Sequence, residues 1–212
     1  MKTLGRTMIG SHIWNMNHEN SDEDYFEIYL DSTKNLFRGT PKNKSTFTTK
    51  PVDLHKHELG KVVEQLLKGN INFLIGVTSP IVIESTKTFE ELKKITYRNI
   101  SKKTYHSIRG MAISNYKKYV GESNLDDVTN VEVPEHKCNQ IIRAIQFGIT
   151  LLKYRKLEYK PFKGGTPALI QSKIKELDEV YEKSTIPDEP NEEEFRDFLE
   201  RTRKADWWNQ VW

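Results

Sequence analysis

The sequence has few of the groups that staple a chain together or anchor it. It holds one cysteine, Cys138, so an intramolecular disulfide is excluded. That thiol and six mostly scattered histidines offer no zinc-ligand spacing; only His55 and His57 lie close together. No apolar run approaches the roughly 20 residues that cross a bilayer. The segment Met1-Lys2-Thr3-Leu4-Gly5-Arg6 does not read as a secretion signal. A membrane partner is therefore not expected, and a reducing cytoplasmic location is. Charge of one sign is also scarce: 33 Lys and Arg stand against 30 Asp and Glu, a net charge of +3. Such a balance permits contact with nucleic acid without arguing for it.

What is present suits a folded α+β protein. At 212 residues and 36% hydrophobic, the chain can build a real core, as one compact unit or as a small domain with a helical companion. Leu4 to Ile9 reads as a strand ending at Gly10, and Tyr25 to Leu30 as a second, aromatic and β-branched strand. A polar loop, Asn15 to Ser21, lies between them. Residues 39–50 read as a basic loop, and Pro51-Val52-Asp53-Leu54 as a short third strand. His57 to Lys68 carries apolar residues at helical spacing, with Gly69 as its stop. Ile71 to Val77 is too short to assign by period, and Ile81-Val82-Ile83 reads as a strand.

From residue 88 onward the pattern is helical. Thr88 is the expected cap of a helix over Phe89–Ile100. Ser101 is the expected cap of the next, with Tyr105, Ile108, Ala112, Tyr116 and Tyr119 in one stripe. After a polar loop over Gly121–Asn130, a helix from Pro134 aligns Cys138, Ile141, Ile142, Ile145, Ile149 and Leu152. Its other face carries His136, Asn139, Gln140, Arg143 and Phe147. Helices near Pro167–Lys183 and Asn191–Lys204 follow, and Trp207, Trp208 and Trp212 mark an aromatic tail, more suited to packing than to stacking on bases. The expected division is a β-containing unit over residues 1–86 and a helical region over 87–212.

One constellation carries chemistry. Gly10-Ser11 ends an apolar segment; about ten residues later come Asp22 and Asp24, and then a strand. Alternate strand residues point to one side, so both carboxylates can face one spot. Paired carboxylates are hard oxygen ligands of the kind Mg²⁺ or Mn²⁺ takes. Glycine lets backbone approach a phosphate, and a neighbouring serine can hydrogen-bond it. Ser21-Asp22-Glu23-Asp24 alone is equally a solvated loop or a helix cap. A calcium loop is excluded, because Glu27 and Thr33 stand where its glycine and glutamate are needed.

Ile9-Gly10-Ser11-His12 with Ser21-Asp22-Glu23-Asp24-Tyr25 resembles the DNA polymerase β-like nucleotidyltransferase superfamily. Within it the chain is similar to the branch of nucleotidyltransferases associated with RNA ligase in RNA-repair gene clusters. That branch also shows Asp53, four residues, Glu58-Leu59, then Leu66-Leu67-Lys68-Gly69-Asn70, Asn72-Phe73-Leu74 and Ser79-Pro80. Softer matches are Ser101-Lys102-Lys103-Thr104-Tyr105-His106, Ile141-Ile142-Arg143, and Leu177-Asp178-Glu179-Val180-Tyr181-Glu182-Lys183-Ser184 before Pro187. The branch usually has Gly where this chain has Asn15.

The resemblance implies a small mixed-sheet, palm-like catalytic core over 1–86, followed by helices. It implies that Asp22, Asp24 and Asp53 are metal ligands and catalytic residues, with Mg²⁺ or Mn²⁺ as cofactor. Asp53 also reads as a helix cap. Gly10, Ser11 and His12 would bind nucleotide phosphates, with His12 equally able to pack beside the loop. Arg143 would grip phosphate, and Lys61 is a weaker candidate of the same kind. The implied reaction moves a nucleoside monophosphate from an NTP to a hydroxyl, expected on an RNA end. A protein hydroxyl acceptor, or a non-catalytic binding role on the same scaffold, is the alternative.

Overall fold

The computed structural model describes residues 2–19, 21–38, 46–49, 52–120 and 133–211. These divide into two compact units, one joining residues 1–99 with 189–212 and the other spanning 100–188.

The first unit is built on a five-stranded mixed sheet in the order β3-β4-β2-β1-β5. Its strands are β1 (Lys2–Met8), β2 (Glu23–Leu30), β3 (Thr46–Thr49), β4 (Val52–Glu58) and β5 (Val82–Ser85). β1 runs antiparallel to β2 and β5; β4 runs parallel to β2 and antiparallel to β3. β3 occupies part of the expected loop 39–50; the rest of that loop lies outside the described residues. β4 extends four residues past the expected Leu54, so His57 and Glu58, read as the start of a helix, belong to the strand.

The helices of this unit are α1 (Thr33–Phe37), α2 (Leu59–Leu67), α3 (Ile71–Thr78), α4 (Lys87–Arg98) and α8 (Glu192–Val211). Each start has a local cause. Glu58 accepts from the Gly60 N–H at 2.7 Å, and Asn70 from the Asn72 N–H at 3.0 Å. The cap of α4 is Thr86 rather than the expected Thr88: its hydroxyl accepts from the Phe89 N–H at 3.3 Å and donates to the Leu4 carbonyl at 2.6 Å. That second bond ties the helix start to β1, which a cap at Thr88 would not do.

The core of the unit gathers Leu4, Phe26, Ile28 and Leu30 of the sheet, Leu59, Val62, Val63 and Leu66 of α2, and Phe89, Leu92 and Ile95 of α4. Phe195 and Phe198 of α8 belong to the same cluster. The expected boundary at residue 86 thus falls inside the first unit, because α4 packs on β1 and α8 packs on α2 and α4, joining the same core. A glycine is needed at Gly76 of α3, where a Cβ would meet the Phe26 ring at 2.5 Å.

The second unit is helical. α5 (Lys103–Val120), α6 (Glu135–Tyr154) and α7 (Pro167–Lys183) pack through Ile108, Ala112 and Tyr116, the expected stripe of α6, and Ile170, Ile174, Leu177 and Val180. Tyr119, expected in the α5 stripe, is 36% exposed. The expected loop over Gly121–Asn130 lies outside the described residues.

Candidate active site

The end of β1 and the start of β2 are held together by backbone. The Ile9 N–H donates to the Asp24 carbonyl at 2.7 Å, and the Met8 N–H to the Ile81 carbonyl at 3.0 Å. The Ser79 hydroxyl donates to the Met8 carbonyl at 2.6 Å. The chain then turns sharply at Gly10, with φ of 69°, into a short 3-10 turn over His12–Trp14. A Cβ at Gly10 would lie 2.0 Å from Asp24 Oδ2, so glycine there makes room for that carboxylate. The turn closes through Ser11, whose carbonyl accepts from the Trp14 and Met16 N–H groups at 3.2 and 3.1 Å. Asn15 is left-handed, with φ of 51°. That conformation explains why the related branch favours glycine there, and why asparagine substitutes for it.

Asp24 and Asp53 are direct partners in the parallel register of β2 and β4. Opposed residues of paired strands share a face, so both carboxylates lie on one side of the sheet. Asp53 is therefore a strand residue, not a helix cap. Asp22, exposed, stands two residues ahead of Asp24 at the strand entrance. Burial pushes the Asp24 carboxyl above its ordinary value; Asp53 pushes it further up, His55 pulls it down, Asp22 raises it and His12 lowers it. Asp22, Asp53, His55 and His12 thus all act on Asp24 electrostatically. His12 Nε2 is shielded from solvent and has no hydrogen-bond partner. A buried, unpaired imidazole nitrogen is costly unless a ligand meets it.

The donor chemistry suits a divalent cation. Asp53 and Asp22 disfavour ionisation of Asp24, and a cation beside Asp24 relieves that repulsion. Among the described residues no three His, Cys, Asp or Glu side chains gather closely enough to hold a metal ion by themselves. Mg²⁺ is commonly held by one or two carboxylates together with substrate phosphates, without a closed protein cage.

A profile of the RNA repair pathway DNA polymerase beta family, RlaP, matches residues 1–198. The chain belongs to this family. An uncharacterized protein of Methanocaldococcus jannaschii is 30% identical over 162 residues, covering 66% of this chain and 67% of that protein. A nucleotidyltransferase-like protein from Exiguobacterium sibiricum is 13% identical with a TM-score of 0.35, over 99% of this chain and 70% of that one. RlaP membership supports a nucleotidyltransferase-type function, in a family whose type usually works with divalent metals. Among the described residues no helix is long and apolar enough to cross a membrane.

The other expected site residues of this RlaP chain are on helices. Lys61 is on the exposed face of α2, its ammonium 3.3 Å from Glu64. Arg143 is in the second unit, half-buried on α6, where burial pushes its guanidinium down to about 10. On that face of α6 only His136 and Gln140 are exposed. Asn139 is buried and accepts from the Gly165 N–H at 2.8 Å, and Phe147 packs with Tyr159 at 5.3 Å.

Two residues escaped the sequence reading. His55 follows Asp53 by two positions on the same strand face; the alternation Asp53-x-His55 would have shown it once β4 was known to continue. Glu27, on the opposite face of β2, is fully buried between Arg6 and Lys56, the latter at 2.9 Å. Burial pushes its carboxyl up, but hydrogen bonds from Lys56 and Arg6 hold it below the usual range.

Proposed function

We propose that the protein transfers a nucleoside monophosphate from an NTP to the hydroxyl of an RNA end, with Asp22, Asp24 and Asp53 holding Mg²⁺ or Mn²⁺. The observation that carries this reading is the in-register pairing of Asp24 with Asp53, with Gly10 cleared for the Asp24 carboxylate. An isolated Asp-x-Asp loop would have no reason to meet a third carboxylate at the same strand level.

The acceptor oxygen attacks the α-phosphorus, a new P–O bond forms, the α–β bridge breaks, and pyrophosphate leaves. A divalent ion, when bound, neutralises charge on the triphosphate and lowers the pKa of the attacking hydroxyl. Asp22 and Asp24 would hold that ion, and with it the triphosphate, in place. Asp53, beside Asp24, accepts the proton of the hydroxyl. Gly10 lets the backbone approach the leaving phosphates, the Ser11 hydroxyl donates to them, and the buried His12 Nε2 gains a partner there. Positioning and charge neutralisation supply most of the acceleration in such transfers.

The test is transfer of label from each α-labelled NTP, with Mg²⁺ or Mn²⁺, to RNA or to lysate proteins, beside an Asp22→Ala/Asp24→Ala control. Label on RNA is the expected result. Label on protein would redirect the proposal to a protein-nucleotidylating enzyme. No transfer above the control with any NTP would sink the enzymatic reading.

A further inference from the structure

Two segments that resemble the RNA-repair branch without entering the catalytic cluster, Ser101–His106 and Leu177–Ser184, are far apart in sequence. They meet on one surface of the second unit. Tyr105 of α5 stacks on Tyr181 of α7, with ring centroids 4.0 Å apart and planes at 17°. The exposed His106 ring meets both edge-on, at 5.0 Å from Tyr105 and 5.5 Å from Tyr181. The Lys102 ammonium lies 5.8 Å from the Tyr181 ring centre. The Tyr105 hydroxyl donates to Asp178 at 2.9 Å, and Arg109 holds the same carboxylate through Nε at 2.9 Å and a terminal nitrogen at 3.3 Å. Asp178 therefore locks the orientation of the stack.

The Tyr105–Asp178–Arg109 contacts account for joining α5 to α7. They do not account for a solvent-facing imidazole at the edge of a pre-stacked tyrosine pair, bordered by cations. Aromatic rings fixed beside positive charge form the usual sequence-tolerant platform for single-stranded nucleic acid. The stacked rings, more than the charges, carry the recognition. Lys102 pairs with Asp188 at 2.9 Å and Arg109 with Asp178, so positive charge is not concentrated as a triphosphate would require.

We propose that the Tyr105–His106–Tyr181 cluster is a stacking platform for a base of the single-stranded RNA acceptor, with Lys102 and Arg109 bordering its backbone. This rests on the RNA reading of the function given above, and it assigns the second unit the task of holding the acceptor strand.

The test is binding of a fluorescein-labelled oligoadenylate RNA to the full chain by anisotropy, without NTP. His106→Ala, at an exposed position, and Tyr181→Leu are each expected to weaken binding about fivefold or more, the loss of one stacking contact. Tyr181→Phe keeps the ring and the affinity. Stabilisation by NTP, read from the melting temperature, is unchanged in all three. Photocrosslinking of 4-thiouridine RNA to the wild-type chain marks peptides containing Tyr105 or Tyr181. Failure of the wild type to bind RNA, His106→Ala binding like wild type with crosslinks elsewhere, or loss of NTP binding with RNA binding kept would overturn the proposal. The binding assay contains no NTP and so reads the platform independently of transfer: RNA bound on this surface, with no label transferred in the separate NTP assay, would sink the catalytic reading alone. Transfer to RNA with crosslinks elsewhere would sink the platform alone.

Discussion

Replacing Gly10 by alanine separates two effects that glycine usually combines. At φ of 69° a Cβ is strained on its own account, at a cost of about 1–2 kcal/mol. Here the added carbon would also lie 2.0 Å from Oδ2, 2.8 Å from Cγ and 3.0 Å from Cβ of Asp24. The carboxylate must swing out of the way, and the contact with the aspartate's own Cβ remains tight even then. Gly164 is the control, with φ of 76° and nothing within 4 Å of an added Cβ. For a chain of this size about 1 kcal/mol moves Tm by roughly 2–4 °C. Both variants should therefore lose a few degrees, and Gly10→Ala more. Only Gly10→Ala should lose activity, by about 100-fold, the scale set by displacing a reacting group by an ångström. The assay is kcat/KM for label transfer beside a thermal melt of each variant. Equal activity in Gly10→Ala and Gly164→Ala would refute the claim that Gly10 exists to seat Asp24.

Three further outcomes are expected. Burial chiefly, with help from His55 and Lys61, pushes His57 down to about 4 from an ordinary 6.5, so the unfolded chain takes up a proton that the folded one refuses. Stability should then fall as pH drops from 6.5 towards 4, and His57→Phe, which keeps a ring between Phe26 and Phe73, should flatten that part of the Tm–pH curve; parallel curves would contradict it. Glu27→Gln leaves Arg6 and Lys56 facing a neutral group, but at 34% and 21% exposure they can partly rehydrate. The cost should be about 2–3 kcal/mol, below the usual range for a broken buried pair, and an unchanged urea midpoint would disprove it. Phe198→Ala, at a fully buried position in the sheet's core, should cost about 3–5 kcal/mol and speed amide exchange in β2 as well as α8. Exchange altered in α8 alone would count against that packing.

The amphipathic helices were legible because their burial is one-sided: Leu59, Val62, Val63 and Leu66 of α2, and the Cys138-to-Leu152 stripe of α6, face their cores as the spacing requires. β4 was only half legible. Beyond Leu54 its residues are His55, Lys56, His57 and Glu58, which show no apolar alternation. Their burial depends on tertiary partners instead: Glu27 for Lys56, Phe26 and Phe73 for His57, and Arg203 for Glu58. Ile71 to Val77 is apolar at nearly every position, which hides the period; the Asn70 cap decides for helix. The segments carrying Gly10, Ser11, Asp22 and Asp24 could be read from motif spacing. Their meeting with Asp53 is a matter of strand register, which no local pattern encodes.

The paired exits of the first unit have a consequence for how the chain folds. The chain leaves at Asn99 and returns at Asn191, whose N–H donates to the Asn99 side chain at 3.1 Å, so departure and return are stitched side by side. The second unit is in effect an insertion, synthesised in full before α8. On the ribosome the sheet must wait, with the places of Phe195 and Phe198 unfilled, while the inserted helices emerge and pack. The sheet that carries the aspartates is made before the inserted helices and closes after them.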